Sequence, residues 1–108
     1  MESLWKEIAP AELLARMQKG EALYLLDVRT APEVMAYHIP GVRWIPLQEL
    51  AQRVEEIPLD EEVILLCEHG VRSVYACHFL AGQGFPRLGN LTGGMSGWAG
   101  ETRQGLPQ

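Results

Sequence analysis

The chain has 108 residues, 47% hydrophobic and 21% charged, and nine basic against fourteen acidic residues give a formal net charge of −5. That length predicts a single domain, residues 1–108 with a core over about 8–107, and the apolar fraction excludes a disordered chain. The acidic surplus argues against a nucleic-acid partner, which requires a basic face, and the longest stretch free of Asp, Glu, Lys and Arg, Ser73 to Pro86, falls short of the ~20 apolar residues of a membrane helix.

The opening segment, MESLWKEIAP, places acids where a secretion signal carries basic residues. A cytoplasmic location is expected, and there the two cysteines stay as thiols. No oligomer interface is legible, so a monomer is expected. Pro10 opens a predicted helix with Leu13, Leu14 and Met17 on one side and Gly20 after its end. Leu23 to Val28 is a short apolar run of the kind found in strands buried on both faces. Thr30 and Glu33 have capping-box spacing and predict a short helix, which must stop before the turn at His38, Ile39, Pro40 and Gly41. Val42 to Ile45 predicts a second strand. Leu47, Leu50, Val54 and Ile57 recur at helical spacing, and the acids from Glu55 to Glu62 read as a solvated linker.

Val63 to Leu66 is the most strand-like run and ends at Cys67. A polar loop follows, then a predicted helix over Ser73 to Gly82 with Val74, Cys77 and Leu80 on one side and Gly84 as its stop. Leu88 to Leu91 predicts a last strand, Gly93 and Gly94 a turn, and Trp98 a short helix. The tail from Gly100 is expected to run over the surface. Alternating apolar runs and helical segments predict an α/β chain with parallel strands.

In such sheets ligands bind beyond the carboxyl ends of the strands, where Cys67 stands. The loop from Glu68 to Arg72 turns strand into helix within a few residues. A turn that tight aims backbone N–H groups inward as an anion-binding nest. The positive end of the following helix points the same way, and Gly70 accommodates a positive φ. A sulfur so surrounded is expected to ionise readily. Arg72 adds positive charge if its side chain turns inward. Glu68 is expected to face solvent, His69 to modulate the thiol at most, and Ser73 to cap the helix. Asp27 and Arg29, just past a strand end, either line the pocket or form a structural ion pair or hydrogen-bond loops together with Glu33. His38 is expected to fix its turn, and Trp5, Trp44 and Trp98 to serve packing. Cys67, His69, Cys77 and His78 do not follow a usual zinc spacing, so no metal is expected and Cys77 reads as core.

Several fragments carry a family resemblance: LDVRTAPEVMAYHIPGVRWIP over Leu26 to Pro46, the loop CEHGVRS, the segment LTGGMSGW, and a final GLP. Taken in order, they make the chain resemble a single-domain rhodanese, of the thiosulfate sulfurtransferase type, from Ile8 to Pro107. The resemblance implies a rhodanese-like fold, a central parallel sheet of about five strands flanked by helices on both faces. It also implies ping-pong sulfur transfer through a Cys67 persulfide, with no cofactor. The implied substrates are a thiosulfate or persulfide donor and a thiol or cyanide acceptor. The implied binding loop is Glu68, His69, Gly70, Val71, Arg72 and Ser73, acting through backbone amides and the Arg72 side chain. The net acidity favours a protein persulfide or another low-charge donor over thiosulfate. Two other readings stay open. One is a binding or regulatory module without catalysis. The other is a phosphatase or arsenate reductase, although related phosphatases of this fold use a loop one residue longer than Cys67–Arg72.

Overall fold

The apolar runs pair side by side into one parallel sheet in a computed structural model, which describes residues 3–107. In chain order the elements are β1 (Lys6–Ile8), α1 (Pro10–Gln18), β2 (Tyr24–Asp27), α2 (Ala31–Ala36), β3 (Arg43–Trp44), β4 (Val63–Leu66), α3 (Arg72–Gly82) and β5 (Leu88–Leu91). Strand order across the sheet is β1-β5-β4-β2-β3, and every pairing is parallel. All four residues of β4 are buried, as a strand covered on both faces requires. Alternate side chains divide the core. Leu26, Val63 and Leu65 pack with Cys77 and Leu80 of α3 on one face. Leu25, Ile64 and Leu66 pack with Leu13 of α1 and Met95 on the other.

β1 was not anticipated. Its sequence, KEI, has one buried residue, Ile8, because an edge strand paired only to β5 leaves Lys6 and Glu7 exposed. The helix expected through Leu47 and Ile57 is instead two 3-10 turns, Leu47–Gln52 and Val54–Glu56, broken at Arg53. Apolar spacing of three to four residues does not distinguish these windings, and Arg53 holds the break by binding Glu49 and Glu56. Nor is the acidic segment wholly solvated: Glu62 takes two hydrogen bonds from Arg16 of α1, at 2.6 and 3.1 Å. The helix expected around Trp98 is a 3-10 turn, Gly94–Gly97, that stops just before it. The tail is mostly exposed, yet Arg103 bridges His38 and the Gly105 amide donates to the Met35 carbonyl. Among the described residues no helix is long and apolar enough to cross a membrane.

Candidate active site

Parallel strands end together, so the segments leaving β2, β4 and β5 converge at one edge of the sheet. Cys67 follows β4 there and is 1% exposed. Gly70 adopts φ +86°, and its N–H donates to Cys67 Sγ at 3.1 Å. The Ser73 N–H donates to the same sulfur at 3.4 Å. Ser73 lies in the first turn of α3, where backbone N–H groups have no partner within the helix. No other backbone amide among the described residues hydrogen-bonds to the sulfur. The cradle anticipated over residues 68 to 72 therefore narrows to Gly70 plus the first turn of the helix. His69 and Val71 stand exposed at the crest of the loop.

The two arginines near the sulfur, Arg29 and Arg72, are held by three carboxylates. Arg29 is fully buried and grips both oxygens of Asp27, also fully buried, at 2.8 to 3.1 Å. It also donates to Glu68 at 3.1 Å and to the Tyr37 carbonyl at 2.8 Å. Glu68 does not face solvent: the Tyr37 hydroxyl donates to its other oxygen at 2.7 Å. The reason is Arg29, since a dry guanidinium requires partners for all its N–H groups. Burial and the bond to Glu68 push the Tyr37 phenol up to about 12. The Arg72 guanidinium is held by a carboxylate. It binds Glu33 bidentately, 2.7 Å to each oxygen. Glu33 accepts the Thr30 N–H at 2.9 Å as the capping box anticipates; its carboxylate joins Arg72, while its backbone carbonyl accepts from Arg29 at 3.5 Å. The Arg72 guanidinium, with the Thr30 contacts, holds the Glu33 carboxyl down at about 2.

The loop is also clamped from behind. The Met95 and Ser96 amides donate to the carbonyls of Cys67 and Glu68 at 2.8 and 2.9 Å. Gly94 sits at φ +63°, and a Cβ there would collide with both carbonyl groups, approaching the Glu68 oxygen to 2.7 Å. The sequence marked Gly93 and Gly94 as a turn; their close approach to the Cys67 peptide comes from the fold.

Ser73 has no capping bond to its own helix. Its buried hydroxyl lies 3.3 Å from Cys67 Sγ and donates to Asn90 Oδ1. Asn90 Nδ2 in turn donates to Glu7 at 3.0 Å. Neither Asn90 nor Glu7 was anticipated. The available signal was the chain's only asparagine, placed inside an apolar strand.

The remaining candidates lie elsewhere. Cys77 is buried against the Gly89 carbonyl, and burial pushes its thiol up to about 12. His38 bonds to the Val34 carbonyl at 2.9 Å. His78 packs edge-on against Trp5, and the Trp44 indole donates to the Arg29 carbonyl. Among the described residues no three His, Cys, Asp or Glu side chains gather as metal ligands. Chemically, the arrangement offers one buried sulfur with two amide donors.

Comparison with known proteins points to one family. The model of the Rhodanese-like domain family matches residues 9–101. The chain is 39% identical over 101 residues to a sulfurtransferase of Allochromatium vinosum, covering 94% of this chain and 92% of that protein. It is 33% identical over 110 residues to the thiosulfate sulfurtransferase GlpE of Pseudomonas putida, covering 98% and 99% of the two. The crystal structure of a rhodanese-like domain protein from Staphylococcus aureus superposes with a TM-score of 0.87 at 26% identity, over 94% of this chain and 99% of that one.

Proposed function

The chain belongs to the rhodanese-like family, and from that membership we propose that it is a sulfurtransferase working through a Cys67 persulfide. In the first half-reaction the Cys67 thiolate attacks the outer sulfur of the donor. A new S–S bond forms at Sγ, the donor's own S–S bond breaks, and sulfite or a thiolate departs with the bonding pair. In the second, an acceptor thiolate or cyanide attacks that outer sulfur and Cys67 leaves as a thiolate. No electrons enter or leave overall, so no cofactor is required. Splitting the transfer into two displacements is nucleophilic catalysis. The supporting observation is the pair of N–H donors, from Gly70 and Ser73, aimed at the sulfur; they are placed to hold negative charge there. Glu68, His69, Val71 and Arg72 complete the loop that meets the donor, and Arg72 acts on the charge balance there only jointly with Glu33.

The donor follows from the charges. Arg29 and Arg72 at this site are outnumbered by Asp27, Glu68 and Glu33, and the whole chain carries −5. A compact dianion finds no unpaired guanidinium there. A persulfide borne on a larger carrier, with its single charge brought to the two amides, fits better than thiosulfate. The same pairing disfavours a phosphate ester. The test is mass spectrometry after exposure to thiosulfate, polysulfide and a protein persulfide. A gain of about 32 Da, one sulfur atom, is expected in the wild type and in Cys77→Ser, absent in Cys67→Ser, and strongest with the persulfide. No gain with any donor removes the proposal.

A further inference from the structure

The Ser73 hydroxyl has one hydrogen and two neighbours that compete for it. Its oxygen lies 3.3 Å from Cys67 Sγ and bonds to Asn90 Oδ1. Which end of the Asn90 amide faces Ser73 is dictated from the opposite side. Asn90 Nδ2 lies 3.0 Å from Glu7 Oε1, and an ionised carboxylate only accepts. Thr92 Oγ1 meets that same oxygen at 3.0 Å, and Trp5 Nε1 meets Oε2 at 2.7 Å. Register in the sheet maintains the chain of contacts: Asn90 pairs with Glu7 on one side and with Leu65, two residues before Cys67, on the other. With its nitrogen committed to Glu7, Asn90 offers Ser73 only its oxygen. Ser73 must then donate to Asn90 and turn a lone pair toward the sulfur.

We propose that Glu7, on the edge strand, is a positioning residue for Cys67: through Asn90 and Ser73 it sets the direction of the hydrogen bond at the sulfur, so that Ser73 presents a lone pair there and can accept from an S–H but not donate to a thiolate. This rests on Cys67 being the nucleophile. A bare thiolate keeps its two amide donors but faces the Ser73 lone pair. Gaining the hydroxyl as a third donor means leaving the buried Asn90 oxygen unpaired, which is costly. In the persulfide the charge resides on the outer sulfur and Sγ is neutral, so the restraint lapses. The chain of hydrogen bonds therefore favours the sulfur-bearing form over the empty thiolate.

The test is the pH dependence of Cys67 alkylation by iodoacetamide, read at that site by peptide mass spectrometry. The other groups near the sulfur are Asp27 with Arg29, Glu33 with Arg72, Glu68, and the buried Cys77 thiol. His69 lies exposed on the loop. None of these is altered by the variants. Asn90→Leu removes the acceptor and frees the Ser73 hydrogen for the sulfur. Below the titration midpoint the rate is expected to rise about fivefold, the worth of one hydrogen bond. The midpoint falls and the plateau at high pH is unchanged. Glu7→Lys makes Asn90 turn its oxygen outward and shifts the midpoint the same way; being at an exposed edge, it supplies the test if Asn90→Leu does not fold. In a Ser73→Ala background both shifts are expected to shrink or disappear. An unmoved or raised midpoint, a changed plateau alone, or shifts of the same size without the Ser73 hydroxyl overturns the proposal. Because alkylation needs no sulfur donor, these outcomes are separate from failure of the sulfurtransferase reading.

Discussion

A guanidinium without solvent contact is stable only when its charge and its N–H groups are all matched, and Arg29 meets that condition through Asp27, Glu68 and the carbonyls of Tyr37 and Glu33. Arg29→Met strands a buried Asp27 carboxylate and releases Glu68. A loss of about 3–5 kcal/mol is expected, measured by denaturant unfolding. The Glu33–Arg72 pair acts on stability through pH. Its carboxyl, ordinarily at 4.5, is held at about 2 in the folded chain, so between those values the unfolded chain binds more protons. The pair's contribution is whole above pH 4.5 and is lost as pH falls toward 2. Stability measured across that window should fall more steeply in the wild type than in Glu33→Gln. At this scale the sequence located Cys67 and the positive φ of Gly70, because both belong to one contiguous loop. It misjudged Glu68 and Ser73 and left the Arg72–Glu33 pairing unread, because these side chains answer to groups far along the chain.

The loop after β4 is held between α3 and the 3-10 turn at Gly94–Gly97, and that turn is the element most exposed to substitution. Gly94→Ala adds a Cβ against the Cys67 and Glu68 carbonyls at a positive φ. A stability loss of at least about 2 kcal/mol is expected, together with slower sulfur loading because the Cys67 peptide must shift. Thermal unfolding and the time course of the persulfide adduct check the two effects. Strands β2, β4 and β5 were legible as apolar runs, and α2 from the Thr30–Glu33 box, because those signals are local. β1 was not: an edge strand of three residues has too few buried positions to leave a pattern, yet it brings Glu7 to Asn90.

Across the whole molecule, an excess of five negative charges opposes the approach of an anion before any contact is made. Salt screens that repulsion over about 10 Å at 0.1 M. Sulfur loading from thiosulfate should therefore quicken as ionic strength rises, while loading from an uncharged organic polysulfide should not. Stopped-flow rates at several salt concentrations test this, and slowing of the thiosulfate reaction by salt would count against the paired-charge account of donor choice.

By itself the sequence determined the α/β alternation, the loop that carries Cys67 and the family resemblance, since each depends on residues adjacent in the chain. Only the tertiary structure decided how the site is wired. Arg29 meets Glu68, Arg72 meets Glu33, Ser73 meets Asn90, and Asn90 meets Glu7 across separations of 39, 39, 17 and 83 residues. Such pairings follow from strand order and register, because a hydrogen bond forms only where the sheet brings a donor and an acceptor within about 3 Å.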